Sequence, residues 1–469
     1  MSTKSTLRPS VHFTSRKGWI NDPNGMVYIN GEYHLCYQHN PNATHYGPMY
    51  WGHAVSKDLL HWEHLPIALT PDDLGVIFSG GGVLDVDNTS GFGGRKRDSS
   101  NPPMVVAYTS HNQMMRTEQQ SIAFSTDYIH FEKYEGNPVI AGIPGKNMRD
   151  PKLFWNPVRQ CWGMVLTAEG CVDFYCSSNL RQWKKTGTFA AGRHGLRGIC
   201  ECPDLFPFRT PEGEKWVLIV SMVLPEADLR MATSFANRTS HITQYYVGDF
   251  DGDVFTDTEC ADEALLIDYG SDNYAAVSFY GCDERILMGW ADNWDYANIS
   301  PPAREGFQGK MTLPRKAELN RTSHGWRLVQ TFAGLESYRK DSELITCGEH
   351  QLNSCTFGLS VKGTGTIALE NDEGERLIVL LGEDEYVIDR RKAGENSFSD
   401  IFASDRCSDI HILRENRTDD TAELVFDHSI LEMIADGGQK TAAVNVYPRY
   451  NYERLVCSQG LECRIWYIS

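Results

Sequence analysis

The sequence predicts an all-β protein, on three observations. Short runs rich in Val, Ile, Tyr, Phe and Trp alternate with Gly, Asp, Asn and Pro turns; long amphipathic helical patterns are nearly absent; and a strand-and-turn signature recurs. Gly31 to Gln38, Met104 to Thr109, Lys215 to Ser221 and Arg285 to Trp290 all read as strands. The recurring signature is Ser-x-Asp-Leu/Tyr-x-x-Trp/Phe. It occupies Ser56 to Trp62 with one extra residue, then Ser125 to Phe131, with a shorter echo at Ser178 to Trp183. A unit of roughly 50 to 70 residues marks a radial repeat, best fitted by a propeller of four-stranded blades, and about four to six blades fill residues 10 to 320.

At 469 residues the chain exceeds what one hydrophobic core serves, so two domains are expected. A net charge of -18 and a pI near 5.3 exclude nucleic acid and anionic membrane surfaces as partners, since both require a basic face. No segment has the length and apolarity of a membrane span. The compact basic run Arg95-Lys96-Arg97 reads as a solvated loop tip. Met1 to Leu7 lacks the apolar core of a secretory signal, and thirteen cysteines occur without a Cys-x-x-Cys pair. A reducing, cytoplasmic location is the expectation, and the six Asn-x-Ser/Thr sequons, Asn42, Asn88 and Asn237 among them, carry little weight against it. Cys200-x-Cys202 has the wrong spacing for zinc, and neither a metal nor a cofactor is expected.

The most informative segment is Trp19-Ile-Asn-Asp-Pro-Asn-Gly25. Pro23 has a locked φ and no N–H, Gly25 permits angles closed to other residues, and Asn21 and Asn24 can bond the local backbone, so Asp22 is aimed. The same acid-beside-proline pattern returns at Arg149-Asp150-Pro151 and at Glu201-Cys202-Pro203, each time leading into an apolar strand. Equivalent positions of different blades converge on a propeller axis, so Asp22, Asp150 and Glu201 are expected to share one pocket. Crowded carboxylates repel, and at least one should be protonated near neutrality. Calcium is the rival use of three acids, but it normally takes a tight Asp-rich loop.

These motifs, with Tyr37-Gln38-His-Asn-Pro41, Trp51-Gly-His53, Phe78-Ser-Gly80, Asp268-Tyr-Gly-Ser-Asp272 followed by Tyr274, and Met311-Thr-Leu-Pro-Arg315, resemble glycoside hydrolase family 32, the β-fructofuranosidases. The resemblance covers nearly the whole chain. It implies a five-bladed β-propeller over 1–325, a linker over 326–340 and a C-terminal β-sandwich over 341–469, whose hairpin signature looks like Leu424 to Pro448.

It also implies roles. Asp22 is the nucleophile on C2 of a fructosyl unit, Glu201 the general acid and then base, and Asp150 the carboxyl that grips fructose hydroxyls as the ring flattens toward an oxocarbenium-like transition state. Arg149 tempers the repulsion among them. Asn21, Gln38, Trp51, Phe78, Ser79, Arg149 and Tyr274 are candidate substrate contacts, with structural packing as the competing reading, strongest for Trp51 and Tyr274. Cys202 reads as a small packed neighbour. Four departures from the family pattern, Tyr46, Gly81, Cys200 and Phe307, are expected to reshape the leaving-group side of the pocket.

The implied activity is retaining hydrolysis of the terminal non-reducing fructosyl unit of sucrose or short fructo-oligosaccharides. Fructosyl transfer on the same scaffold and a non-catalytic sugar-binding propeller are the alternatives. A small-molecule sugar is the expected partner, and assembly into a homo-oligomer is left open.

Overall fold

The computed structural model describes residues 4–94, 101–192, 198–225, 239–259, 261, 264–415 and 419–468. Arg95-Lys96-Arg97 and Asn237 lie outside the described residues. The molecule is all-β. Its two α-helices among the described residues, Glu336–Lys340 and Asp400–Ala403, are short, and no described helix is long and apolar enough to cross a membrane.

Five sheets follow one another along the chain. They begin with Gly18–Ile29, Val76–Leu84, Met148–Asn156, Ile199–Thr210 and Tyr274–Ser278, and each runs on through antiparallel neighbours in chain order. In the first sheet Gly18–Ile29 pairs with Glu32–Asn40 across a tight turn in which Asn30 and Gly31 both have positive φ, as such a hairpin requires. The five opening strands touch one another in a closed ring, the fifth against the first. Phe307–Gln308 then returns to lie parallel to Gly18 and Trp19, which fastens the end of the ring to its beginning.

The recurring signature is one turn used three times. Asp58, Asp127 and Asn179 each accept two backbone N–H groups from the residues that follow, and Leu59, Tyr128 and Leu180 have positive φ. Each turn joins the third strand of its sheet to the fourth. The third copy starts at Ser177, one residue earlier than read from sequence, because Ser177 Oγ takes the Asn179 N–H.

The strand Gly325–Phe332, which the sequence reading gave to a linker, is the outer strand of the fifth sheet. Its alternation explains this, with Trp326, Leu328, Gln330 and Phe332 all buried. The helix Glu336–Lys340 follows, then twelve strands in two six-stranded antiparallel sheets that share one apolar core, from Phe357 and Leu359 to Ile367, Leu377 and Ile388.

A buried ionic layer joins the two halves. Arg315 meets Glu432 at 2.6 Å and Asp268 at 2.7 Å, Arg390 meets Asp272 at 3.0 Å, and His12 bridges Asp427 at 2.8 Å and Glu432 at 3.2 Å. The motifs Asp268 to Asp272 and Met311 to Arg315 and the hairpin within Leu424 to Pro448 therefore serve this junction.

Candidate active site

All five opening strands carry a register shift at the same end. The shifts lie between Ile20 and Pro23, Ile77 and Gly80, opposite Arg149 to Lys152, between Glu201 and Asp204, and between Tyr274 and Val277. A bulge leaves one residue out of the ladder and turns its side chain off the sheet. Three strands put a non-glycine residue at positive φ there, namely Asp150, Cys202 and Ala275. The prolines at 23, 151 and 203 fit because a bulge frees a position from donating to the ladder.

Asp22, Asp150 and Glu201 converge at this end. Cys202 holds two of them together, its thiol lying 3.3 Å from Asp22 Oδ2 and 3.7 Å from Asp150 Oδ2, while its N–H donates to Asp150 Oδ2 at 3.0 Å. Asp22 also accepts from Ser79 Oγ at 2.5 Å and from Asn21 Nδ2 at 3.1 Å, and Asn21 is fixed in turn by the Trp19 indole N–H at 2.7 Å. Glu201 accepts from Arg149 Nη2 at 2.9 Å and from the Tyr274 hydroxyl at 2.5 Å.

Burial pushes the Asp22 carboxyl above the usual carboxylate range, against hydrogen bonds from Ser79 and Asn21. Asp150 rises to about 8, first through burial and then through Glu201 and Asp22, with Arg149 opposing. Asp150 therefore carries a proton near neutrality. Burial, then Glu201, also lifts the Tyr274 hydroxyl, so it stays a donor.

Other predicted contacts divide. Gln38 is buried, and among the described residues its Nε2 has no hydrogen-bond partner, leaving a donor that a sugar hydroxyl would satisfy. Phe78 is half-buried and stacks on His111 at 4.3 Å. Trp51, expected as a sugar contact, is fully buried. Its indole N–H donates to the Phe78 carbonyl at 3.0 Å, so it braces Phe78 from behind. Trp290 is likewise buried, packed on Trp19 and Trp294.

Of the four departures only Tyr46 borders the cluster. It is 38 % exposed, edge-on to Trp19 and Trp294, and close enough to Asp22 and Glu201 to feel their charge. The others are structural. A Cβ on Gly81 would lie 2.9 Å from Lys152 Cδ, Cys200 is buried among Phe154, Val172 and Leu205, and Phe307 is fully buried beneath the Arg8 guanidinium at 4.0 Å. Sequence reasoning missed Glu118, which holds Arg149 from behind at 3.2 Å. It has no proline beside it and does not lie on an opening strand, so the acid-beside-proline pattern could not mark it. Among the described residues no group of three or more His, Cys, Asp or Glu could hold a metal ion.

Three carboxyl groups and an arginine facing one another at the end of a ring of sheets form the constellation of a glycoside hydrolase. The sequence profile of the Glycosyl hydrolases family 32 N-terminal domain matches residues 12–331, and the chain belongs to that family. It is 37% identical over 424 residues to a levanase of Bacillus subtilis, a match covering 84% of this chain and 60% of the levanase's length. It is 31% identical over 488 residues to an invertase of Schizosaccharomyces pombe, covering 93% of this chain and 80% of that one. The crystal structure of an exo-inulinase from Aspergillus awamori superposes with a TM-score of 0.86 at 29% identity, covering 99% of this chain and 98% of that one.

Proposed function

We propose that the protein is a retaining β-fructofuranosidase that removes the terminal non-reducing fructosyl unit of sucrose or short fructo-oligosaccharides. The reading rests on one observation, the convergence of Asp22, Asp150 and Glu201 from the first, third and fourth opening strands. Asp22, held by Ser79 and Asn21, attacks C2. Glu201 gives its proton to the glycosidic oxygen and the remaining sugar leaves. Glu201 then takes a proton from water, whose oxygen displaces Asp22 from C2 and releases fructose with its configuration retained. Asp150, protonated, donates to a fructose hydroxyl, and Gln38 supplies a second donor. Tyr46 and Phe78 give the ring apolar faces, and Trp51 supports Phe78.

In this reading the ring is a five-bladed β-propeller, the two six-stranded sheets are a β-sandwich, and the short helix Glu336–Lys340 divides them. A reducing, cytoplasmic setting is proposed from the twelve described cysteines, all free thiols, although relatives include proteins named as extracellular exo-inulinases.

The test is turnover by the purified protein on sucrose, sucrose 6-phosphate, kestose, inulin and levan, with proton NMR following the first anomer of fructose released. Asp22→Asn and Glu201→Gln are each expected to lower kcat by about 10³-fold or more while the protein stays folded. Wild-type turnover by Glu201→Gln, or an inverted first product, would overturn the assignment.

A further inference from the structure

Arg149 is not devoted to the site carboxyls. Its Nη1 lies 3.2 Å from Glu118 Oε1 and 3.3 Å from Glu118 Oε2, while its Nη2 lies 2.9 Å from Glu201 Oε1. One guanidinium thus hydrogen-bonds two carboxyl groups, one in the cluster and one behind it, with its Nε 4.0 Å from Asp150 Oδ2 as well. Glu118 comes from the strand Thr117–Ser125, two places in from the opening strand of the second sheet. It is 7% exposed, accepts the Met148 N–H at 2.8 Å, and faces His111 Nδ1 at 3.7 Å.

We propose that Glu118 is a positioning residue that sets the acid strength of Glu201 by sharing the charge of Arg149. The inference rests on the reading of Glu201 as the acid. The physical argument is a competition. A cation wholly paired with Glu201 would favour its ionised form and strip the proton an acid must carry. A second buried carboxylate on the far side of the same cation spends part of that charge elsewhere, and its own negative field adds to the effect. Arg149 remains firmly charged, because its carboxylate partners, Glu201 first, outweigh its burial. Glu118 stays ionised, because His111 and Arg149 outweigh its burial.

The other groups facing Glu201 are Asp150 on the Arg149 strand, Asp22 on the first opening strand, Tyr274 on the fifth, and Tyr46 from the loop before Tyr50–Ser56. Its chain neighbours Cys200 and Cys202 stay thiols, since burial raises both. Glu118 is faced by Arg149 and by His111, which stacks on Phe78. Of these charged groups Arg149 alone contacts both carboxyls directly among the described residues.

The experiment is the pH profile of kcat/KM on sucrose for the wild type, for the neutral replacements Glu118→Gln and Glu118→Met, and for the charge-keeping Glu118→Asp. The alkaline limb of such a profile reports deprotonation of the acid. In both neutral variants it is expected to move to lower pH by about half a unit to one unit, and in Glu118→Asp to stay near the wild-type position. Either neutral variant that folds carries the test. A limb that stays in place or moves upward in a folded neutral variant overturns the proposal, since a merely structural Glu118 would lower thermal stability without moving the limb. A wild type with no β-fructofuranoside turnover would instead overturn the underlying reading of the site, and this inference with it.

Discussion

Asp150 is held in a chemically useful but unfavourable state. Its φ of 64° lies in the left-handed region, and burial with Glu201 and Asp22 raises its pKa to about 8 against Arg149. The folded protein therefore keeps a proton there that the unfolded chain releases above about 4. Stability from this group is fully present below that value and lost as pH rises through about 8. Asp150→Asn fixes the neutral form, and the variant is expected to be about 1 to 3 kcal/mol more stable than wild type at pH 8, the gap closing toward pH 4, while activity collapses. Urea melts at the two pH values check this. The three acids were legible in the sequence because each stands beside a strand-breaking proline, which marks a bulge. Glu118 carries no such punctuation, the proline after Cys202 marks a bulge without showing that the thiol bonds two carboxyls, and the burial of Trp51 cannot be told from a sugar platform by residue type alone.

Among the elements, the opening strands are crossed by one side chain. Lys152 extends past Gly81 of the second sheet to Asp204 of the fourth at 3.3 Å and to the Ser278 carbonyl of the fifth, so four of the five sheets meet along it. Asp204 is occupied on the same oxygen by the Ser278 N–H at 2.6 Å. Gly81 was read as a change at the pocket mouth, and its neighbour explains it otherwise, since any larger residue meets Lys152. Gly81→Ser is expected to cost about 1 to 3 kcal/mol, and less in a Lys152→Ala background, because that change removes the overlapping Cδ. A denaturant double-mutant cycle measures the shortfall from additivity. Strand periodicity showed where the sheets are, but contacts between sheets depend on side-chain reach and left no trace in spacing.

At the scale of the whole molecule, His12 ties the N-terminal segment to the last sheets. Hydrogen bonds to Asp427 and Glu432 outweigh burial and raise its pKa, while both acids are lowered. The His12 contribution is thus fully present below about pH 6.5 and lost as pH rises through its folded value, whereas those of the acids are lost as pH falls below about 4. Removing one partner of a buried ionic network strands the others, and His12→Gln is expected to cost about 3 to 5 kcal/mol, with the loss smaller in alkaline buffer. Thermal melts across pH 5 to 9 decide it. The sequence motifs named this junction only as part of a resemblance, since charges at 12, 268, 315 and 432 become neighbours through the fold alone.

The pairing of Gly18 and Trp19 with Phe307 and Gln308 has a consequence for how the molecule comes into being. The strand that carries Asp22 is made well before Phe307 and Gln308, which lie nearly three hundred residues further along the chain. Such distant pairing is slow and is completed only after the intervening sheets have formed. During synthesis the Asp22 strand has its hairpin partner Glu32–Asn40 at once, while its other edge at Gly18 and Trp19 waits for Phe307 and Gln308. A chain stalled before Phe307 would hold all three carboxyl groups with that edge of the Asp22 strand still unpaired.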